Sequence, residues 1–290
     1  MWLTDKWKDF EVIDAGGGEK LERWGDIILR RPDPQVIWNE KARPDLWKKA
    51  DAHYHRSNEG GGRWEYHKSL PETWQISYES LTFNIKTMGF KHTGLFPEQG
   101  TNWDFIISKI RSASRPVSVL NLFAYTGGAT VAAAYAGARE VVHVDAAKGI
   151  VAQAKENLQA SGLEDKFVRF IVDDVQKFVA REQRRGRKYD AIIMDPPSYG
   201  RGPGGEVWKF EEELFKLIEG CMSILSNKPL FFMINSYTTG ISPIVVSNIL
   251  SLTLKKAYGG TAVSEEIGLP ITASGLILPC GATSRWFSEE

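Results

Sequence analysis

The stretch Val117–Gly128 reads V-S-V-L-N-L-F-A-Y-T-G-G, an apolar, β-branched run that ends in a small loop with two glycines. It is followed at once by A-T-V-A-A-A-Y-A-G-A, residues Ala129–Ala138, a small-residue segment that favours a helix. A buried strand leading through a tight loop into a helix is the unit from which doubly wound α/β proteins build a nucleotide-type site. Gly127 and Gly128 can adopt backbone angles closed to other residues and have no Cβ to obstruct a ligand. The stretch predicts the first βα unit of such a sheet, the alternative being an ordinary βα turn.

The same alternation of strands and helices continues toward the C-terminus. Predicted strands are apolar and span 117–123, 140–145, 167–172, 189–195 and 230–234. Predicted helices alternate with them and span 128–138, 148–161, 174–184, 211–225 and 242–257. A glycine-rich loop covers 200–205, and two further strands are predicted within 261–287, around L-P-I-T-A-S-G. This order predicts an α/β fold with a doubly wound, mostly parallel sheet and helices on both faces.

Residues 1–85 differ in composition from the rest. Short β-favouring runs at 26–30, 63–67 and 74–78 are separated by glycine and proline clusters. Most of the ten tryptophans lie here, at Trp2, Trp7, Trp24, Trp38, Trp47, Trp64 and Trp74. We predict a small β-rich domain over 1–85, with these aromatics in its core, and a second domain over 86–290. The alternative is that exposed aromatics near Arg56, Arg63 and Lys68 stack on unpaired bases of a substrate.

The composition is that of an ordinary globular protein. Of 290 residues 42% are hydrophobic and 25% charged, and Lys+Arg and Asp+Glu balance at 36 each. Because no global field attracts nucleic acid, any such contact must come from a local patch. The run R-E-Q-R-R-G-R-K at Arg181–Lys188 is either such a patch or a solvated helix end. With no long apolar run and no signal peptide, we expect a cytoplasmic protein without a membrane partner.

The cysteines and the histidine pair predict neither a disulfide nor a metal site. Cys221 and Cys280 lie far apart and form no C-x-x-C motif, which is typical of a reducing compartment. His53 and His55 would share one face of a strand, but the sequence shows no third ligand nearby. We therefore predict that no metal is bound.

The residues that follow the first three predicted strands suit an adenosine-type ligand, because ligands of such sheets bind outside the carboxyl ends of the strands. Asp145, about twenty residues after the glycine loop, is placed to accept hydrogen bonds from ribose hydroxyls. Asp174, or Asp173 in its place, is placed to meet the edge of an adenine ring, and one of the two caps the next helix. The loop lacks the G-x-G-x-x-G pattern of dinucleotide sites. A ligand with adenosine at one end and an amino acid at the other fits better, as in S-adenosylmethionine.

The fourth predicted strand ends in Asp195-Pro196-Pro197-Ser198. The two prolines fix φ and remove backbone donors, so we expect a stiff turn with free carbonyls. These carbonyls and the Asp195 carboxylate can accept from an exocyclic amine or a ring edge, and Tyr199 can stack on a flipped base. With the glycine loop and the acids after strands two and three, the motif predicts a methyl-transfer site.

Several motifs carry a family resemblance: T-G-L-F-P-E-Q-G-T-N-W, N-L-F-A-Y-T-G-G, V-H-V-D, V-D-D-V and D-P-P-S-Y-G-R-G. From about residue 80 to the end, the chain resembles class I S-adenosylmethionine-dependent methyltransferases. Within them it is similar to bacterial enzymes that act on large-subunit ribosomal RNA, including cytosine-C5 and guanine-N7 enzymes. The resemblance implies a seven-stranded Rossmann-like methyltransferase sheet, S-adenosylmethionine as the cofactor and RNA as the partner.

The resemblance also implies roles for individual residues. Those on the cofactor side are Gln99, Phe123, Ala124, Tyr125, Thr126, Gly127, Asp145, Ala146, Asp173, Asp174, Val175 and Asp195. Those on the catalytic, substrate side are Asp195, Pro196, Pro197, Ser198 and Tyr199.

The chain departs from the family pattern in three places. Cytosine-C5 enzymes attack with a cysteine, but D-P-P-S-Y and M-I-N-S-Y-T contain none, and Cys221 falls within a predicted helix. Transfer to a nitrogen is therefore expected over covalent C5 chemistry. Gly100 follows Gln99 where the family usually has an arginine, so one contact is missing or comes from elsewhere. The first eighty residues do not resemble the RNA-binding module often fused to the family.

Other functions stay open at this point. The same fold methylates small molecules or protein side chains, and a non-catalytic protein that binds the cofactor or RNA would carry many of the same motifs. A nicotinamide-dependent oxidoreductase is disfavoured, because the glycine fingerprint is lacking. The target nucleotide, the methylated atom and the oligomeric state are not determined by the sequence.

Overall fold

The computed structural model describes residues 1–57, 61–201 and 207–289, in two compact units. The first unit consists of Met1–Thr101 and Ile267–Cys280, and the second of Asn102–Glu266 and Gly281–Glu290. The predicted domains 1–85 and 86–290 stay a prediction, because a compact unit need not coincide with a functional domain.

The first unit is rich in β-structure. Its elements are β1 (Trp2–Leu3), β2 (Phe10–Gly16), β3 (Glu19–Trp24), β4 (Ile27–Pro32), α1 (Pro44–Trp47), β5 (Ala52–Arg56), β6 (Gly62–Tyr66), β7 (Trp74–Tyr78), β8 (Leu81–Ile85) and a 3₁₀ turn at Pro97–Gln99. Strands β2 to β6 form a five-stranded sheet in chain order, antiparallel except between β4 and β5. Strands β7 and β8 form a separate antiparallel pair. The predicted β-rich N-terminal region is confirmed.

The tryptophans of this region contribute to its interior. Trp24 and Trp47 are buried, and the other five are half-buried. Indole N–H groups donate to backbone carbonyls, as from Trp38 to Ala15 at 2.8 Å. A large aromatic side chain that is buried with its polar atom bonded stabilises a small β-sheet. The burial favours the structural interpretation of these side chains over base stacking.

The second unit alternates strands and helices. Its elements are α2 (Gly100–Ser112), β9 (Ser118–Leu122), α3 (Gly128–Tyr135), β10 (Glu140–Asp145), α4 (Lys148–Ala160), β11 (Val168–Val172), α5 (Val175–Arg184), β12 (Ala191–Met194), β13 (Tyr199–Arg201), β14 (Val207–Lys209), α6 (Phe210–Met222), β15 (Phe231–Ser236), α7 (Pro243–Leu250), a π-helical segment Ser251–Lys255, α8 (Lys256–Tyr258), β16 (Thr261–Pro270) and β17 (Ile277–Phe287). The first two residues of α2 and parts of β16 and β17 belong to the first unit.

These strands form a large sheet in the order β16-β17-β15-β12-β9-β10-β11. The five strands from β15 to β11 are parallel, and β17 is antiparallel to β15. The predicted doubly wound, mostly parallel α/β sheet is confirmed. In the first unit, Trp2 and Leu3 pair with Ile267 and Gly268 of β16, which adds an eighth strand to the seven expected.

The strand order reverses between β9 and β12. From β9 the chain proceeds outward through β10 and β11, and it then returns to β12 on the other side of β9. Strands β9 and β12 are buried along their whole length, which explains why their sequences are mostly apolar, with the buried Ser118 and Asn121 as the polar residues of β9. In such a sheet a ligand binds beside the carboxyl ends of the strands at this reversal.

Two predicted elements differ in the structure. The helix predicted over 242–257 contains the π-helical segment, where the Thr253 hydroxyl donates to the Ile249 carbonyl at 2.6 Å. Such a side-chain bond competes with the regular helical ladder. The predicted loop 200–205 begins inside β13, which pairs antiparallel with β14, and residues 202–206 lie outside the described residues. Within the described ranges, no helix combines the length and apolarity needed to cross a bilayer.

Candidate active site

The loop after β9 has an unusual backbone. Phe123 and Tyr125 have φ of 50° and 49°, a region that non-glycine residues rarely occupy, and Gly127 has φ of 84°. Hydrogen bonds hold the loop: the Ala124 amide donates to the Val144 carbonyl at 3.1 Å, and the Gly127 amide to the Ala124 carbonyl at 3.0 Å. Strain of this kind persists where the surroundings enforce it, which is common at ligand sites.

The glycine at the end of this loop is required by packing inside the protein. A Cβ on Gly127 would lie 2.9 Å from the Cβ of Ala154 on α4, and a Cβ on Gly128 would lie 2.8 Å from the Trp103 ring. Both distances are shorter than side chains tolerate. These glycines therefore make room for α4 and α2, and that they also make room for a ligand stays a prediction.

Asp145, at the end of β10, links the loop to the next helix. One carboxylate oxygen accepts from the Tyr125 amide and the other from the Ala147 amide, each at 2.9 Å. A carboxylate oxygen accepts more than one hydrogen bond, so both atoms can also accept from ligand hydroxyls. Asp145 is half-buried and Ala146 beside it is exposed. The carboxylate thus holds the strained loop, and it lies at the carboxyl end of β10, where a ligand is predicted to bind.

The two acids after β11 have different local partners. Asp174 is the N-cap of α5, and its side chain accepts from the Lys177 amide at 2.9 Å. Asp173 accepts from the Asp174 amide at 2.9 Å and forms an ion pair with Arg181. Val175 is buried at the start of the helix. One member of the pair is the expected cap, and which of them meets a ligand stays a prediction.

The D-P-P-S-Y segment leaves the sheet beside this loop. The Asp195 amide donates to the Leu122 carbonyl at 3.2 Å. Asp195 is half-buried and Pro196 is buried, whereas Pro197, Ser198 and Tyr199 are exposed. The expectation that the prolyl carbonyls are free is wrong for Pro197, whose oxygen accepts from Nε1 of Trp208 at 2.6 Å. One lone pair of that oxygen remains for a substrate.

Trp208 and Thr238 were not predicted as part of the site. The Trp208 ring lies 5.2 Å from the Phe123 ring, so this side chain joins the strained loop to the proline turn. The Thr238 hydroxyl donates to the Ser198 hydroxyl at 2.9 Å. Neither residue belongs to a local motif, because its partner lies on another element, and only the fold brings them together.

Trp208→Phe keeps the aromatic packing and removes the donor to Pro197. We expect the free energy of unfolding to fall by about 0.5–1.5 kcal/mol, the net contribution of one hydrogen bond, because the exposed Pro197 carbonyl then exchanges its protein donor for water. Chemical denaturation of the variant beside the wild type measures this loss. Val207→Ala, at an exposed position of the same strand, is the matched control and should change little. Equal stability of Trp208→Phe and the wild type would contradict the role assigned to the indole.

A buried polar network lies next to the loop 123–127. His143 on β10 is fully buried, and its Nδ1 lies 2.9 Å from the Thr130 hydroxyl, which also accepts from Asn121 at 2.9 Å. Asn157 donates to the Thr126 carbonyl at 2.8 Å. Burial lowers the pKa of His143 to about 3, so this histidine is neutral at ordinary pH. A lone histidine within an apolar strand was the only sequence signal of the network.

The neutral His143 should make stability depend on pH. In the unfolded chain a histidine binds a proton below about pH 6.5, whereas the folded protein resists protonation until about pH 3. Stability is therefore lost as the pH falls through this window, by about 2 kcal/mol between pH 7 and pH 5 from this group. His143→Gln should reduce the difference in unfolding free energy between these pH values by that amount. His67→Gln, at an exposed position, is the control, and an unchanged difference in His143→Gln would refute the assignment.

Gln99 belongs to the first compact unit, where it is buried in the 3₁₀ turn. The next residue cannot be the family's arginine, because a Cβ on Gly100 would lie 2.5 Å from Cγ2 of Thr4 and 2.8 Å from the Tyr78 ring. In the second unit, Arg285 of β17 donates to the side-chain oxygen of Asn102 at 2.6 Å. Asn102 of the same motif is therefore contacted by an arginine that lies on β17.

The histidine pair has a third polar neighbour after all. The His53 and His55 rings lie 3.8 Å apart, and Glu65 on β6 approaches Nε2 of His55 to 2.6 Å. One ligand atom from each of these three side chains lies within 4.8 Å of the others, so the expectation of no third ligand is wrong. Nε2 of His53 already contacts Glu19 at 2.6 Å. That no metal is bound stays a prediction.

The two cysteines are unsuited to nucleophilic attack. Cys221 is buried in α6 as expected, and burial raises the pKa of its thiol. Burial likewise raises the pKa of Cys280. The thiolate is the nucleophile, and a raised pKa leaves almost none of it at neutral pH.

Comparison with known proteins agrees with this geometry. Residues 49–222 match a family model described as S-adenosylmethionine-dependent methyltransferase. Ribosomal RNA large subunit methyltransferase I of Aeromonas salmonicida is 38% identical over 107 residues, 37% of this chain and 26% of that protein. Ribosomal RNA large subunit methyltransferase K/L of Shewanella frigidimarina is 31% identical over 155 residues, 53% of this chain and 21% of that protein. The matches thus span about a quarter or less of these curated relatives.

Solved structures extend the likeness to the whole chain. The SAM-dependent methyltransferase from Agrobacterium tumefaciens is 37% identical with a TM-score of 0.93, over 99% of this chain and 93% of that one. SMU.776, solved in complex with SAH, is 21% identical with a TM-score of 0.72, over 97% of this chain and 76% of that one, and shares the fold. The family model covers more than half of the 290 residues. The chain belongs to the family of S-adenosylmethionine-dependent methyltransferases.

Proposed function

We propose that this methyltransferase modifies a base of ribosomal RNA, at a nitrogen rather than at C5 of cytosine. The observation that carries the proposal is the convergence, at one edge of the sheet, of the strained loop 123–127, Asp145 and the D-P-P-S-Y turn. The curated relatives named as large-subunit ribosomal RNA methyltransferases support RNA as the substrate class. A cytoplasmic location accords with such a substrate and is proposed with it.

The chemistry of the residues at this edge fits S-adenosylmethionine. The Asp145 oxygens would accept from the ribose hydroxyls, and Asp173 or Asp174, with Val175, would meet the adenine. Phe123 and Ala146 would offer apolar surface, and the loop 124–127 would lie along the amino-acid end. Gln99 is also proposed as a cofactor contact. When bound, the cofactor supplies a methyl group that its sulfonium has already activated.

The remaining task of the protein is to place the acceptor base. The Asp195 carboxylate and the remaining lone pair of the Pro197 carbonyl would accept N–H groups of the base, and the exposed Tyr199 ring would stack on its face. A nucleophile held in line with the methyl group at about 3 Å gains about 7–11 kcal/mol from orientation. The bonds from Trp208 and Thr238 keep the turn stiff, which preserves that orientation.

A nitrogen acceptor agrees with the side chains available. C5 of cytosine becomes nucleophilic only after a thiolate adds to the ring, but both cysteines are poorly ionised and the turn offers a serine instead. A ring nitrogen attacks with its own lone pair, forming the N–C bond while the bond from methyl carbon to sulfur breaks and sulfur keeps the electron pair. An acceptor such as guanine N7 carries no proton, so it needs no general base.

The second candidate function is methylation of a small molecule or a protein side chain. The balance of 36 basic and 36 acidic residues favours it, because proteins that bind RNA usually carry excess positive charge. Substrate binding that weakens steeply with salt would favour RNA instead.

Transfer of radiolabelled methyl groups to separated cell fractions tests the substrate class. Purified protein is offered naked ribosomal RNA, ribosomal particles, total protein and small metabolites, together with S-adenosylmethionine labelled on its methyl group. We expect label in large-subunit RNA, free or in particles. Label confined to protein or metabolites would overturn the RNA proposal, and no label despite cofactor binding would indicate a non-catalytic protein.

A further inference from the structure

A basic cavity lies at the opposite edge of the large sheet from the candidate active site. It has a volume of about 560 Å³ and is lined by Arg139, Glu140, Phe167, Arg169 and Arg187, here named the arginine pocket. Glu140 is the first residue of β10, whereas Asp145 is the last. At about 3.3 Å per residue, the strand separates the two edges by about 15–20 Å. The pocket is therefore a site apart from the proposed cofactor edge.

The pocket concentrates positive charge in a chain whose formal net charge is zero. Glu140 is only 7% exposed and accepts from Nη2 of Arg187 at 2.9 and 2.7 Å. Nη1 of Arg169 lies 3.4 Å from the same carboxylate. Nε of Arg187 also lies 3.8 Å from the buried Glu182, which Arg185 shares. Three guanidinium groups at the pocket against Glu140 and this shared carboxylate still leave an excess of positive charge. An anion is the ligand that this excess would attract.

The local bonds also hold the arginines in place. Nη2 of Arg139 donates to the Ser118 hydroxyl at 2.8 Å, and Glu140 anchors the other two guanidinium groups. A guanidinium has five N–H donors, and these bonds use only some of them. Planar groups fixed in this way lose little entropy when they bind phosphate oxygens, which they can do in pairs of bonds.

Phe167 gives the pocket its aromatic wall. Its side chain is 61% exposed just before β11, although burial of this ring would be favourable. A single exposed phenylalanine is ordinary, but this one shares a concave site with three arginines. An aromatic face beside guanidinium groups is the combination with which proteins hold an unpaired base and its phosphate.

We propose that the arginine pocket is a second RNA contact, in which arginines bind phosphate oxygens and Phe167 stacks on an unpaired base. The inference rests on the proposed RNA substrate and gives it a binding surface away from the reacting base. It also refines the basic run 181–188. In that run Arg181 pairs with Asp173 and Arg185 with Glu182, while Arg187 reaches the pocket. A local site of this kind explains how a chain with no net charge could bind RNA.

The double variant Arg139→Ala/Phe167→Ala tests the proposal, because both residues are exposed and neither pairs with the buried Glu140. The probe is a naked transcript of large-subunit ribosomal RNA, and the dissociation constant is measured at several salt concentrations. We expect the constant to rise about 10-fold or more, and the slope of log affinity against log salt to fall by about one. Binding of S-adenosylmethionine, followed by its thermal stabilisation of the protein, should stay unchanged.

Arg185→Ala is the matched control, since this arginine is 59% exposed in the same segment and does not line the pocket. Its effect on RNA affinity should stay below about 2-fold. If the double variant binds the transcript as the wild type does, or if the control weakens binding equally, the pocket is not an RNA site. The single variant Phe167→Ala, which removes no charge, should weaken binding without changing the salt slope, and it guards against a folding defect in the double variant.

The outcome for the pocket is separable from that for the proposed function. Methyl transfer to RNA by the wild type with unchanged affinity in the double variant would overturn the pocket and leave the function standing. Pocket-dependent RNA binding without any methyl transfer would support the pocket and overturn the function. A wild type that does not bind the transcript would overturn the pocket.

Discussion

Asp145→Ala is expected to abolish the thermal stabilisation that S-adenosylmethionine gives the wild-type protein. A ligand at about 100 times its dissociation constant adds about 2.7 kcal/mol to the free energy of unfolding. The carboxylate is proposed to accept two charge-assisted hydrogen bonds, at about 1.5–3 kcal/mol each, so its loss should weaken binding more than about 100-fold. The substitution also releases the amides of Tyr125 and Ala147, which loosens the loop. Thermal melting with and without the cofactor measures the effect.

Two further variants make this result specific. Asp165→Ala removes an acid that is 70% exposed and pairs with the adjacent Lys166, so the cofactor should stabilise this variant as it does the wild type. Asp145→Asn keeps acceptor oxygen and should retain part of the stabilisation. If Asp145→Ala melts with the full cofactor shift, the ribose role assigned to this residue is wrong.

Asp195→Ala should lower the rate of methyl transfer by about 100-fold or more while leaving cofactor affinity within a few-fold of the wild type. The carboxylate is proposed to orient the acceptor base, and a misplacement of about 1 Å costs about that factor in rate. Its backbone bond to Leu122 does not depend on the side chain, so the strand end should keep its position. Single-turnover transfer to RNA gives the rate, and melting gives the affinity.

The comparison with Ser198→Ala separates orientation from general damage to the turn. That variant removes the bond from Thr238 but keeps the carboxylate, and it should reduce the rate much less. Near-normal turnover in Asp195→Ala would exclude the orienting role. Loss of cofactor stabilisation in Asp195→Ala would instead move this residue to the cofactor side of the site.

The central parallel strands could be predicted from the sequence because they are buried on both faces. Their sequences are mostly apolar, and an aspartate marks the end of two of them, as β10 ends at Asp145 and β12 ends just before Asp195. The edge strand Trp2–Leu3 could not be predicted, since two residues carry no periodicity. The π-helical segment could not be predicted either, because the sequence around Thr253 has a regular helical pattern and a single threonine does not indicate a π-helix.

The strand-end residues of the candidate site could be predicted, but their supporting contacts could not. Trp208 on β14 donates to Pro197 before β13, and His143 on β10 contacts Thr130 on α3. Neither contact follows from a regular spacing in the sequence. The reason for Gly127 also needed the structure, because the atom that excludes a Cβ belongs to α4. The arginine pocket gathers residues from near the starts of β10 and β11, and the basic run contributes Arg187 from the segment between α5 and β12.

The most direct test of the central claim is transfer of a deuterated methyl group from S-adenosylmethionine to large-subunit ribosomal RNA, read by mass spectrometry of the digested nucleosides. The account predicts one labelled nucleoside, with the methyl group on a base nitrogen, and its loss in Asp195→Ala. Label on C5 of cytosine would contradict the nitrogen chemistry. RNA that stays unlabelled, in free form and in ribosomal particles, while the protein binds the cofactor would contradict the proposed function itself.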